Sequence, residues 1–269
     1  MNRAWTNPLT VAVSLAAALV PFSGVLADDG ALGGNRYYYE RYYASEMSAA
    51  QAFLETVVKQ GRWTDRSDKL VIIDVRDATE YSRGHPDGAY HVPYPRIYQT
   101  CTNDARSEDG GACLQGGSTT ASMPDDQFFL TVEAMFPDKS QRLALLCRTG
   151  SRSVRGGNIL SAPEEFLGPE YAGRGYSRVF NIWQGFVGQP MAPIKGSSVV
   201  GPTNTVTTVT LGGGATAFGL APYQLDLNND GLVNIEDNDG WRYHQGLPYS
   251  TRMLPKLLND DAMPYYDLP

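Results

Sequence analysis

Cysteine is scarce in this chain. There are three in 269 residues, and the odd number leaves one thiol over if the other two pair. Basic residues are outnumbered, 22 Lys and Arg against 29 Asp and Glu, and the net charge of -7 argues against nucleic acid or an anionic lipid surface as the partner. No apolar run beyond the first 27 residues is long enough to span a bilayer, and no internal repeat points to a solenoid or propeller. With 42% hydrophobic and 19% charged residues, the chain can bury one good core and carry a small appendage.

The beginning of the chain has its own pattern. Arg3 precedes an apolar run from Leu9 to Val20, Pro21 and Ser23 break it, and Val25-Leu26-Ala27 stands before Asp28-Asp29. This predicts a cleaved secretory signal peptide over 1–27 and an exported protein, most simply a periplasmic one, with no membrane attachment after cleavage. Cleavage takes away Arg3 and no acid, so the net charge moves from -7 to -8. In an oxidising compartment, Cys101 and Cys113, which share a polar Gly/Asp/Ser-containing stretch, are expected to form a disulfide, leaving Cys147 free.

The rest reads as segments. Residues 28–46 are rich in tyrosine, and Tyr38, Tyr39, Tyr42 and Tyr43 fall at helical spacing, which predicts a stripe packed on the domain. Residues 47–188 carry the domain itself. Ser48 and Gln51 predict a capping box opening a helix that Gly61 ends, with Phe53, Val57 and Val58 on one face. "LVIIDV" (70–75), "YHVPY" (90–94), "RLALLC" (142–147) and "RVFNI" (178–182) predict strands, with helical segments between them. That alternation predicts an α/β fold, a parallel sheet with helices on both faces, whose working groups sit at the carboxyl ends of strands. Residues 96–124 read as a polar excursion loop, a candidate rim over the site. Residues 189–238 form an insert whose first part is Gly, Pro, Ser and Thr rich, and 239–269 a tail packing on the domain.

"LALLCRTGSRSVRGG" (143–157) contains no acidic side chain. Its cysteine ends an apolar run and precedes a Gly-containing turn and a helix. Turn N–H groups, the helix N-terminus, Arg148 and Arg152 would all favour a thiolate and attract an anionic substrate. "CRTGSRS" resembles the active-site loop of the rhodanese-family sulfurtransferases. "LVIIDVRDATEYSRGHPDGAYHVPY", with Asp74, Arg76, Glu80, His85, Gly88 and Ala89, is similar to the family's first signature. "GYSRVFNIWQGF" resembles its closing strand and turn, and "GWRYHQGLPYS" resembles a tail of some exported members. Departures are Pro86-Asp87, Gln184 where a glycine is usual, the cysteine-bearing excursion and the insert. The resemblance implies a rhodanese-like fold and a sulfurtransferase. Cys147 would carry the sulfur as a persulfide taken from thiosulfate or a similar small anionic donor and passed to a thiol or protein acceptor. Arg148 and Arg152 would orient the donor, and the N–H groups of Thr149, Gly150, Ser151, Arg152 and Ser153 would hold the persulfide. Four residues between Cys147 and Arg152 match the sulfurtransferases, whereas related phosphatases have one more. Asp74, Arg76 and His85 are expected to support the loop rather than react. A carrier or binding module serving a periplasmic partner, without turnover alone, is the reading from another class.

"DLNNDGLVNIED" (226–237) places oxygen donors at the calcium-ligand positions of a twelve-residue loop with Gly231 at the sixth. Asp226, Asn228, Asp230, the Leu232 carbonyl, Asn234 and Asp237 would be the ligands. The pattern resembles a single dockerin-type EF-hand loop and predicts a structural calcium ion. No cofactor is expected for catalysis.

Overall fold

The computed structural model describes residues 37, 39–58, 68–107, 111, 113–189, 199–200, 206–207, 209–211, 215–217 and 234–266. Its first eight strands are β1 (Ser45–Met47), β2 (Val71–Asp74), β3 (His85–Pro86), β4 (Tyr90–His91), β5 (Arg96–Cys101), β6 (Gly117–Ser122), β7 (Leu143–Leu146) and β8 (Val179–Ile182). The α-helices are α1 (Ala49–Phe53), α2 (Ala78–Ser82), α3 (Asp125–Met135), α4 (Ser151–Ser161) and α5 (Pro163–Leu167). Five strands make one parallel sheet in the order β1-β8-β7-β2-β4.

The continuous apolar runs of β2 and β7 follow from burial on both faces, because successive side chains point to opposite sides. Ile73, Leu143, Leu145 and Val179 join Phe128, Val154 and Leu160 in one core. Ile72, Ala144, Leu146 and Ile182 join Ala49, Ala52, Phe186 and Trp241 in the other. Helices α3 and α4 thus cover one face, while α1 and the C-terminal Trp241 cover the second. Gly156 lets α4 approach the sheet closely: a Cβ there would stand 2.9 Å from a Leu145 methyl.

Four expectations need correction. The tyrosine stripe is not helical. Tyr43 is buried while Tyr39 and Tyr42 are exposed, and the chain runs directly into β1, an edge strand parallel to β8. The excursion is not a structureless loop, since β5 and β6 pair antiparallel as a hairpin closed by the Cys101–Cys113 disulfide, with Cα atoms 5.1 Å apart. The box at Ser48 is half formed: Ser48 Oγ accepts from the Gln51 N–H, but the Gln51 amide turns to Glu55. The strand expected over 90–94 is regular only at Tyr90–His91, although the Val92 and Tyr94 N–H groups still donate to the Asp74 and Val75 carbonyls. The signal-peptide segment, Tyr38 and Gly61 lie outside the described residues.

Candidate active site

Strand β7 delivers Cys147 to the carboxyl edge of the sheet, and four residues later the chain is in α4. Gly150 caps that helix at φ 101°, a left-handed conformation suited to glycine. A Cβ there would also stand 2.2 Å from the Trp183 carbonyl oxygen. The thiol faces inward. Its Sγ accepts from the Gly150 N–H at 3.1 Å and lies 3.4 Å from Ser153 Oγ, whose one hydrogen can instead go to the Gly150 carbonyl at 3.1 Å. Cys147 is completely buried.

The loop's carbonyls are drawn outward by other segments. The Cys147 carbonyl accepts from Phe186 N–H, the Arg148 carbonyl from Val187 and Gly188 N–H, and the Thr149 carbonyl from the Tyr37 hydroxyl. Gly185, at φ 72°, permits this, because a Cβ would meet the Arg148 carbonyl carbon at 2.6 Å. Gln184, in place of a glycine, has a separate use: its Oε1 accepts from Ala49 N–H at 2.7 Å and anchors the start of α1.

Compared with known protein families, residues 57–188 match the rhodanese-like domain. The match covers 132 of the 269 residues, just under half of the chain. Among curated proteins none matches the chain. The five-strand parallel sheet flanked by helices is consistent with the rhodanese fold, and the domain points to a sulfur-related, sulfurtransferase-type function.

Beside the thiol loop, the matched stretch holds a cavity of about 240 Å³ lined by Glu80, Arg96, Gln99, Cys113, Arg148 and Arg152, among others. The excursion hairpin therefore walls the site. A larger cavity of about 540 Å³, lined by Tyr39, Tyr42, Arg155 and Phe166 among others, shares Arg152 with the smaller one. Cys147 lines neither.

Arg152 is paired, with Nη2 2.9 and 2.8 Å from the two carboxylate oxygens of Glu80. Burial works against its charge, but Glu80, then Cys147 and Asp77, outweigh burial and raise its pKa. Arg152 Nη1 is buried with no hydrogen-bond partner among the described residues, and so is Asp77 Oδ2. Asp77 caps α2 in a true capping box with Glu80, and burial followed by the Glu80 charge pushes its pKa up to about 7.

Asp74 and Arg76 form a buried bidentate pair, with Nη2 to Oδ2 at 2.6 Å, and Arg76 also donates to the Gly84 carbonyl. The Arg76 guanidinium stacks 4.0 Å over Phe186, the residue holding the Cys147 carbonyl, so the pair supports the loop from below. His85 stands apart from both cavities. It stacks on Tyr81, donates from Nδ1 to the Tyr81 carbonyl, and is held below the usual histidine pKa by desolvation. His91 Nε2 donates to the Arg76 carbonyl and Nδ1 accepts from Tyr266, with its pKa lowered by burial to about 4.

The loop residues Cys147, Arg148, Thr149, Gly150, Ser151, Arg152 and Ser153 are together by sequence adjacency, and Asp74 and Arg76 reach them through Phe186. Three cavity residues were not singled out from the sequence: Glu80 as the partner of Arg152, Arg96 and Gln99. Asp77 followed by Glu80 three residues on is a capping-box signal that could have placed Glu80 at a helix start; the hairpin residues had no such signal. Of the calcium-type loop, Asp226, Asn228, Asp230 and Leu232 lie outside the described residues. Asn234 accepts from Glu236 N–H, and the buried Asp237 carboxylate accepts from Asn234 N–H at 2.8 Å. Among the described residues no group of three or more His, Cys, Asp or Glu is placed to hold a metal, and no helix is long and apolar enough to cross a membrane.

Proposed function

We propose that the protein is a sulfurtransferase that moves sulfane sulfur from thiosulfate or a similar donor to a thiophilic acceptor through a Cys147 persulfide. The supporting observation is the thiol at the end of β7, receiving the Gly150 N–H beside an arginine-lined cavity. The Cys147 thiolate attacks the outer sulfur of the donor; the donor's S–S bond breaks and sulfite leaves with the electron pair. A thiol or cyanide then attacks the outer sulfur of the persulfide, and the Cys147 thiolate returns. Arg148 and Arg152 neutralise the approaching anion, while loop N–H groups hold the persulfide charge. Because Sγ is covered, loading includes displacement of the side chains above it.

That same burial favours a second reading, a sulfur carrier or anion-binding module that a partner protein must open. Intact-mass measurement before and after thiosulfate separates them: the enzyme gains one sulfur atom at Cys147 and loses it to cyanide over many cycles. Cys147→Ser gains none. A carrier loads or releases only when its partner is added, and sulfur transfer by Cys147→Ser would refute both. The proposal extends to an exported, periplasmic setting, which the Cys101–Cys113 disulfide supports, and to a structural calcium ion on the 226–237 loop.

A further inference from the structure

Among the described residues four aromatic side chains are exposed, and three of them, Tyr39, Tyr42 and Phe166, line the larger cavity of about 540 Å³. Isolated exposed aromatics are ordinary, but three converging on one concave surface mark a place of contact. The rings stand on two elements flanking α4, Tyr39 and Tyr42 on the segment before β1 and Phe166 on α5. That segment is tied to α4, since Asn158 Oδ1 accepts from the Tyr42 N–H at 2.9 Å and Asn158 Nδ2 donates to the Glu40 carbonyl at 2.8 Å. Tyr42 and Phe166 meet edge to face with centroids 5.3 Å apart, so the two rings brace one another.

The charges of this lining are one-sided once their partners are counted. Its two arginines are each paired with an acid outside it, Arg152 with Glu80 and Arg155 with Asp125. Its two carboxylates, Glu40 and Glu165, are exposed and form no ion pair among the described residues. Both act on the Tyr42 phenol, whose pKa is raised by desolvation and then by Glu40 and Glu165, so the two acids stand near one ring. Carboxylates beside exposed aromatic rings suit a cation, which the ring quadrupole and the negative charges attract together. Arg152 also lines the cavity at the thiol loop, so an occupant of the groove abuts the site.

We propose that this groove is the docking surface for a partner protein that presents lysine or arginine side chains, their aliphatic stems against Tyr42 and Phe166 and their charged heads toward Glu40 and Glu165. The inference rests on the sulfurtransferase reading only in making that partner the sulfur acceptor. A chain of net charge -7 attracts basic molecules everywhere, so the test separates the groove from the overall charge.

A short fluorescent peptide of alternating arginine and serine is titrated against the full chain at low ionic strength and followed by anisotropy, with a glutamate and serine peptide as its counterpart. The expected result is that only the arginine peptide binds, and that Glu40→Gln with Glu165→Gln weakens it roughly tenfold. Tyr42→Leu, which keeps apolar surface but removes the ring, weakens it severalfold. Asp87→Asn with Asp104→Asn removes the same charge from exposed positions that line neither cavity, and leaves binding unchanged. Equal weakening by the two pairs of variants, binding of the glutamate peptide as well, or no binding of the arginine peptide overturns the inference. A dimer in sedimentation that Tyr42→Leu dissolves would assign the groove to a second copy of this chain and overturn it too. If peptide binding behaves as stated and Cys147 never loads with sulfur, the docking surface stands and the sulfurtransferase reading fails.

Discussion

Replacing Glu80 by Gln should make the protein less stable and its cavity more attractive to dianions at the same time. The Glu80 side chain is 2% exposed and that of Arg152 14%, so the pair is screened little by water. Removing one partner of a buried pair costs about 3–5 kcal/mol, mostly because the other charge is stranded. Gln keeps the shape and one acceptor oxygen, which places the expected loss at the lower end, about 3 kcal/mol. For a domain of this size that is a fall in melting temperature of roughly 6–12 °C. The same change removes one negative charge from the cavity lining and takes from Arg152 Nη2 its carboxylate partner. Sulfate should bind more tightly, on the order of tenfold after screening. Thermal unfolding without anion gives the first number and calorimetric titration the second. Unchanged melting would mean that the pair contributes nothing net. Weaker sulfate binding would mean that Glu80 orients Arg152 for the anion rather than competing with it, which would refute the electrostatic reasoning.

Asp77 has its pKa raised to about 7 in the folded chain, so between its unfolded value near 4 and pH 7 the native state holds the extra proton and stability falls as pH rises. His91, lowered to about 4, and His85, also lowered, act in the opposite sense, adding stability as pH rises toward 6.5. Asp77→Asn should therefore steepen the gain in urea stability between pH 5 and 7.5 and stabilise the protein at the upper end; an unaltered slope would show that Asp77 is already ionised at pH 5. Cys101→Ser with Cys113→Ser opens the hairpin loop and should cost about 3 kcal/mol on the chain-entropy account, read as a lower urea midpoint under non-reducing conditions, and no change would mean the loop is held without the bond. Calcium should raise the melting temperature, chelation should lower it, and Asp226→Ala should abolish both shifts; identical melting with millimolar calcium and with chelator would reduce the loop to an Asx-rich turn.

What could be read from the chain beforehand was whatever is local. Strands β2, β7 and β8 announce themselves because burial on both faces demands unbroken apolar runs, and the thiol loop is a contiguous motif between a strand and a helix. Strand β1 was invisible: "SEM" has no strand character, and it pairs because β8 offers it an open edge while Tyr43 anchors the preceding residue. The hairpin of β5 and β6 reads as a loop because most of its residues are exposed or half-exposed, so no apolar alternation marks it. Glu80 and Arg152 meet across 72 positions, a separation at which neither periodicity nor spacing carries information.

The outward pull on the carbonyls of the thiol loop bears on how portable the domain is. The matched stretch begins at residue 57 and ends at 188, yet Tyr37 grips Thr149 from before it, β1 completes the sheet from before it, and Trp241 seals the second core from after it. The boundaries of the match cut through one sheet and its packed core. A fragment trimmed to them would expose an unpaired sheet edge along β8 and leave the shape of the thiol loop to chance, so grafting or expressing the rhodanese-like domain requires its flanks to travel with it.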